Sequence, residues 1–398
     1  MTERTRLAVV VWAVLVSQVL LYPGLEDTVI ALGGGDHLLA GTWFLVAEFG
    51  AFVGMAVLWG LLSDALGRRT PLVVAGAAGG AVSYLAVAAV PGLGGSFDVV
   101  LVLRVIGGGF TIGAFSLSIT KLMDLAGGHG RNMGAAGTAI GFGAALGSIV
   151  GGGLATLDPL APLYAGAVVL AGAALLAATV PDRGVGGGLA LETVFARIRT
   201  RPALLVPYAF GYIDRLTAGF FALAGVAYFR DAFDVGPALA GVTLALFFLP
   251  FAALQYPMGN LSDRIGRFVP VVAGSLCYGV AIIAVGLAPV YALAALLMVV
   301  VGICGAAVSP ATMALVTDLV PASERGAAMG GFNVFGSLGM LTGFLLGGVV
   351  SGVFGYLPAF VAVGGLEIAI ALLAARAVFR MTAGQPGAEW FRHAIRDG

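Results

Sequence analysis

Charge is what this chain has least of. Only 10% of its 398 residues are Asp, Glu, Lys or Arg, against about 25% in a soluble globular chain. With 60% apolar residues and a mean hydropathy of +1.04, that scarcity excludes a soluble domain and points to an integral membrane protein. The net charge of zero says little about partners. The only lysine, Lys121, follows Ile-Thr rather than Gly, so the chain has no G-x-x-x-x-G-K-[ST] phosphate loop and ATP-driven transport is excluded. Gly107-x-Gly109 sits inside an apolar run and reads as packing, not as a dinucleotide loop. The three histidines, His37, His129 and His393, fall at loops or in the tail, and no H-E-x-x-H occurs, which disfavours intramembrane enzyme chemistry. Two cysteines, Cys277 and Cys304, lie within apolar runs and imply neither a disulfide framework nor a metal site. No A-x-A cleavage site follows the first apolar run at the right distance, so that run is expected to be a retained helix.

What is present is long apolar runs. A bilayer crossing needs about 20 mainly apolar residues, and that ruler predicts an all-α membrane protein of twelve spans. They are 7–32, 38–62, 70–90, 98–122, 132–155, 160–180, 203–229, 237–261, 268–288, 290–316, 326–353 and 356–379. The runs lack strict alternation, which excludes a barrel. With the N-terminus inside, all of the 20 basic residues except Arg104, Arg215 and Arg230 fall at the cytoplasmic face, as the positive-inside rule requires. The outer loops hold Asp36, Asp98, Asp158, Asp231 and Asp234 instead. Both termini are therefore expected in the cytoplasm. Residues 181–202 break the composition at mid-chain and pattern as a short amphipathic surface helix. They are expected to link a six-helix bundle at 1–180 to a second at 203–379, with a tail at 380–398.

The halves repeat. Gly60, Leu62, Ser63, Asp64, Gly67 and Arg68 match Gly259, Leu261, Ser262, Asp263, Gly266 and Arg267. Asp124-Leu125 with Arg131 likewise matches Asp318-Leu319 with Arg325. Two related six-helix halves make a transporter architecture with its site between the repeats. On these residues the chain resembles the major facilitator superfamily over essentially its whole length. Gly60-x-Leu62-x-Asp64-x-x-Gly67-Arg68-Arg69 is similar to that family's signature loop, and the second copy has Phe268 in place of the last basic residue. Arg104 and Gly108 resemble a span-4 signature, with Gly107 where Gln is usual. Gly143 to Gly152 resembles the antiporter signature, with Ser148 in place of its Pro. The resemblance implies that Asp64 approaches the start of span 11 near Gly326, and that Arg68 pairs with Asp124. It implies the same of Asp263 near Asn132 and of Arg267 with Asp318, so that the doubled turn is a latch closing the cytoplasmic side. The plainer alternative is a pair of positive-inside anchors.

The spans also hold Glu26, Asp27, Glu48, Asp214 and Glu367 against Arg104 and Arg215. Uncompensated buried carboxylates are costly, so some are expected to carry protons, and titratable acids in a cavity are how a proton gradient is read. Equal depth from the outer side, counted at 1.5 Å per residue, together with the family's use of the span-4 arginine in proton transfer, makes Asp27 with Arg104 the expected proton switch. Glu26, Glu48 and Asp214 are the substitutes, and Glu367 reads as a protonated packing residue. Asp214 and Arg215 are adjacent and diverge by about 100°, so one of them is expected to face the cavity. Residues 208–256 hold 12 of the 38 aromatics, and Tyr212, Arg215, Phe220, Phe247 and Phe251 are expected to line a substrate pocket. Lipid-facing bulk is the alternative. Few Asn, Gln and Trp occur in the spans, which disfavours a sugar. The resulting expectation, resembling drug/proton antiporters, is a monomeric plasma-membrane exporter of small amphipathic compounds. It would be driven by protons, embedded in the lipid bilayer, and without cofactor, metal or nucleic-acid partner. A proton symporter importing a small organic solute, or a non-transporting sensor, are the other readings.

Overall fold

A computed structural model of the chain describes residues 1–35, 37–125, 129–182, 199, 201–321 and 324–385, and for 129–135 the backbone alone. The expected amphipathic helix within 181–202 and the end of the tail lie outside the described residues. Those described are helical, with no strand among them. In chain order the helices are α1 (Glu3–Val19), α2 (Leu25–Ala31), α3 (His37–Leu66), α4 (Thr70–Ala89), α5 (Phe97–Asp124), α6 (His129–Ala155) and α7 (Ala161–Ala178). They continue as α8 (Leu205–Phe220), α9 (Val226–Phe233), α10 (Pro237–Ile265), α11 (Gly274–Gly286), α12 (Tyr291–Asp318), α13 (Arg325–Phe354) and α14 (Tyr356–Met381).

Among the described residues, 10 helices are long and apolar enough to cross a membrane. Of the other two expected spans, one is broken and one departs locally from α-helical geometry. The run 7–32 breaks at Leu20–Gly24, where Pro23 lacks an N–H and its ring blocks the preceding turn. The run 203–229 is continuous but passes through a π-helical turn, Phe221–Gly225, between α8 and α9. Both charged turns depend on a glycine with positive φ, Gly67 at 64° and Gly266 at 84°, a conformation other residues rarely adopt.

Helices α1 to α7 pack mainly on one another, as do α8 to α14. Two antiparallel seams join these groups, α6 with α10 and α3 with α13. Along the first, a methyl at Gly241 would strike the Ser148 carbonyl oxygen, and one at Gly152 the Pro237 carbonyl oxygen; small residues let the backbones touch. The second runs from Leu38 beside Gly352 and Thr42 beside Gly348 to Phe49 against Phe344, ring centroids 4.9 Å apart. Beyond that, a Cβ placed on Gly60 or Gly326 would meet no atom. The groups thus meet through both seams at one face and part between α3 and α13 toward the face that carries both charged turns, while α6 and α10 stay in contact as far as Gly141 against Ala252.

Candidate functional site

Two buried polar clusters and two charged rims flank this interface. In the first group, Arg104 on α5 and Glu48 on α3 form an ion pair, 2% and 1% exposed. Gly108, one turn from Arg104, sets the geometry, because the Glu48 backbone lies where a Cβ would be. The guanidinium sits 4.1 Å from the Phe44 ring centroid and 5.3 Å from that of Tyr84, a cation–π arrangement that shields its charge. The Tyr84 hydroxyl donates to the Ser17 carbonyl at 3.2 Å. Glu48 Oε1, Arg104 Nε and Gln18 Nε2 have no hydrogen-bond partner among the described residues. The next residue, Phe49, is the one that meets Phe344 of the other group, and Tyr22 meets Phe344 as well, at 6.4 Å. Phe52 continues from Phe49 to Phe115, with centroids 5.4 and 5.7 Å apart.

Asp27 does not pair with Arg104. The break at Pro23 places it on the short α2, at the closed face, where it takes a two-pronged contact from Arg230 of α9 at 2.7 and 3.1 Å. Glu26 lies 3.7 Å from the same guanidinium. Depth along the membrane favoured Asp27, but the break at Pro23 and the packing around Gly108 give Arg104 to Glu48.

In the second group Asp214 is 5% exposed and turned toward Ser309 of α12, while its neighbour Arg215 is partly exposed. Glu367 of α14 is fully buried, and neither of its carboxyl oxygens nor the Tyr278 hydroxyl has a hydrogen-bond partner among the described residues. Of the expected pocket, Tyr212, Arg215 and Phe251 are partly exposed. Phe220 is instead wedged against Phe221 and Phe360, at 5.5 and 4.9 Å. Phe247 is held by Phe221, Phe248 and Phe251, so these two are packing residues within their own group. The rings that do cross the interface, Tyr22, Phe49 and Phe344, are scattered over three segments, and aromatic density could not reveal them.

At the parted face the latch residues pair within their own groups. Arg69, buried at the start of α4, reaches Asp124, the role expected of Arg68. Arg68 swings outward to Asp182 at 3.3 Å. Asp182, which the repeat pattern does not single out, also accepts the backbone N–H groups of Arg69 and Thr70, both at 3.1 Å, and so caps α4. Lys121 completes this site by donating to Thr70 Oγ1 and to the Pro181 carbonyl. Partial burial disfavours the Asp182 charge. The two N–H groups, Arg68 and Lys121 outweigh that and hold its carboxyl below the usual carboxylate range. In the second copy Arg267 meets Asp318 at 3.3 Å, the pairing the resemblance implied, and also Asp263 at 2.5 Å. Its backbone N–H donates to Gln385 at 2.9 Å, a neutral counterpart of Asp182. Asp64 is exposed at the end of α3. The side chain of Asn132 lies outside the described residues.

Comparison with known proteins agrees with this architecture. A class G tetracycline resistance protein of Vibrio anguillarum is 29% identical over 304 residues, covering 73% of this chain and 75% of its own. A quinolone resistance transporter of Acinetobacter baumannii is 30% identical over 43% of this chain and 40% of its own; the match spans less than half of such relatives. Among solved structures, a bacterial homologue of the human lysosomal transporter Spinster, in an inward-facing and unoccupied conformation, superposes with a TM-score of 0.77. It is 16% identical and covers 96% of this chain and 98% of its own. The human organic anion transporter MFSD10 superposes at 0.68, with 21% identity over 94% of this chain and 99% of its own. The family model described as Major Facilitator Superfamily matches residues 7–229 and again 208–392. It therefore takes in both charged turns and both buried acid clusters, and the chain belongs to that superfamily: a multi-pass membrane transporter of small molecules and not an enzyme.

Proposed function

We propose that the protein exports small amphipathic compounds in exchange for protons by alternating access. On this reading twelve crossings form two six-helix halves, 1–180 and 203–379, joined by residues 181–202. Both termini and both charged turns face the cytoplasm, so the conformation described above opens inward. Export is supported by the relatives named for resistance to tetracycline and to quinolones.

The observation that carries proton coupling is the position of Glu48. It is the one partner of a buried guanidinium and is covalently next to Phe49, the ring on which the halves meet. Arg104 is always cationic, so it attracts Glu48 in its carboxylate form. A proton taken by the carboxylate cancels half of the ion pair and frees α3 to shift against α5, and with it Phe49 against Phe344. Each half-cycle then costs or releases one proton at this pair. Asp214 and Glu367 are further acids that the cycle can use, and Asp27 with Glu26 acts at the outer rim instead. The two turns, through Gly60, Asp64, Gly67 and Arg68 and through Asp263 and Arg267, latch the cytoplasmic side once it closes.

Reconstituted vesicles with an imposed pH gradient test this directly. The wild type should move a lipophilic drug against the proton flow. Glu48→Gln should lose pH-driven accumulation about a hundredfold, within the range ascribed to a positioned proton carrier, while drug-for-drug exchange persists. Solute travelling with protons would replace export by symport, and undiminished accumulation in Glu48→Gln would remove Glu48 from the coupling.

A further inference from the structure

We infer that the transported solute carries a negative charge and that Arg215 is the group that binds it. This rests on the transport reading above but not on the direction of transport or its coupling to protons.

Arg215 lies on α8, well inside the apolar run 203–229, and an arginine stays cationic at any accessible pH. A cation at that depth needs a partner. Arg104 has Glu48 and Arg230 has Asp27, yet the Arg215 side chain makes no ion pair or hydrogen bond among the described residues. Asp214 feels the Arg215 charge through space but makes no ion pair with it, because it leaves the helix about 100° away and is buried on the side of Ser309.

The direction of the guanidinium follows from what covers α8. Helices α12, α13 and α14 pack around it, and the partly exposed residues Ala209, Tyr212 and Arg215, with Leu205 exposed below them, recur at three- and four-residue spacing on one face. That face borders the side of α13 that turns to the first group, since Phe344, which meets Phe49, and Asn333 stand about three turns apart on α13. Gly336 of α13 lets the side chain lie along it, since a Cβ there would stand 3.2 Å from Arg215 Cγ. Asn333, three residues earlier on the same face of α13, is exposed and offers an amide. Across the gap, the described carboxylates at this depth and at the parted face are already engaged, Asp64 among them. Glu48 is held by Arg104, and Glu26 and Asp27 by Arg230 at the far rim. Asp124 is held by Arg69 and Asp182 by Arg68, both at the parted face. The missing anion is therefore the solute's own. A guanidinium takes a carboxylate, sulfonate or phosphonate through two parallel hydrogen bonds, and Tyr212, one turn away on the same face, suits an apolar body.

Binding to the purified full-length protein, with no gradient applied, tests this with three isosteric probes: 1-naphthalenesulfonate, 1-naphthylmethylammonium and 1-naphthalenemethanol. Wild type should bind the sulfonate at least about tenfold more tightly than the alcohol, the scale of one charged hydrogen-bonded pair. Arg215→Gln should erase that preference and leave the alcohol unchanged, and Arg215→Lys should restore most of it. No preference for the anion in wild type, including no binding of any probe, overturns the inference, as does a preference surviving in Arg215→Gln. Repeating the titration in nanodiscs with and without phosphatidylglycerol separates solute from lipid. Unchanged affinity supports a solute site, whereas displacement by the anionic lipid assigns Arg215 to the bilayer and overturns it. Sulfonate binding that survives alongside failed proton-driven transport would sink the coupling mechanism and leave this inference standing.

Discussion

At the scale of single residues, Asp182 shows how much a side chain outside the signature motif can carry. It caps α4, neutralises Arg68 and sits 3.9 Å from Lys121. Asp182→Ala should cost about 1 kcal/mol, the usual worth of an N-terminal cap, read as a lowered unfolding temperature of the detergent-solubilised protein. The pH dependence has a definite sign. The Asp182 carboxyl is held below its ordinary value, so its contribution is complete above that ordinary value, near pH 4. It is lost as pH falls through the lower folded value. The gap between wild type and Asp182→Ala should therefore be flat from pH 7 down to about 5 and shrink only in more acid solution. A gap that already narrows between pH 7 and 6 would point to another group. Asp182 could not be found from the sequence, because the groups it binds directly, at 68–70, are more than a hundred positions away and it stands outside both copies of the repeat. Arg267 and Asp318 could, because the motif recurs with its acid.

At the scale of helices, the legible quantity was length. The expected spans 70–90, 98–122 and 356–379 are realised as Thr70–Ala89, Phe97–Asp124 and Tyr356–Met381, since hydropathy reports where a helix enters and leaves the bilayer. Rotation about the helix axis was not legible, and rotation decides which charges meet. Depth alone favoured Asp27 for Arg104, and the azimuth of α3 against α5 gives Arg104 to Glu48. Glycine holds that azimuth. Gly108→Ala would drive a methyl into the Glu48 backbone, where nothing flexible can yield, and should destabilise by about 1–3 kcal/mol, as overpacking does. Gly172→Ala, on α7 with open space around it, should be neutral or slightly stabilising through helix propensity. Unfolding temperatures of the two variants compared side by side check this contrast, and equal shifts would mean that the α3–α5 contact is not the tight one.

At the scale of the whole molecule, the halves meet at one face through apolar seams and one cluster of charge, Arg230 with Glu26 and Asp27. This cluster joins α2 of one group to α9 of the other, and it rims a cleft lined by Tyr22, Leu25 and Leu223. Its side chains are 14%, 24% and 30% exposed, so solvent screens it and its worth is about 1 kcal/mol. That is small against folding but not against an equilibrium between two packed states, where about 1.4 kcal/mol is a tenfold change in population. Arg230→Gln also removes the cation that Asp27 and Glu26 share, which pushes in the same direction. Leu223, 3% exposed in the π-helical turn beneath the cluster, reports the shift. In a Cys277→Ser, Cys304→Ser background, Leu223→Cys should react slowly with a hydrophilic maleimide while this face is closed. Adding Arg230→Gln should speed labelling about fivefold, because the rate follows the population of the open state. Asp27→Asn should act similarly and Glu26→Gln less, since Asp27 makes the direct two-pronged contact and Glu26 stands 3.7 Å off. Labelling that Arg230→Gln leaves unchanged would mean the glycine seams alone hold the face shut, and the ion cluster would then be a rim ornament without a part in the exchange of states.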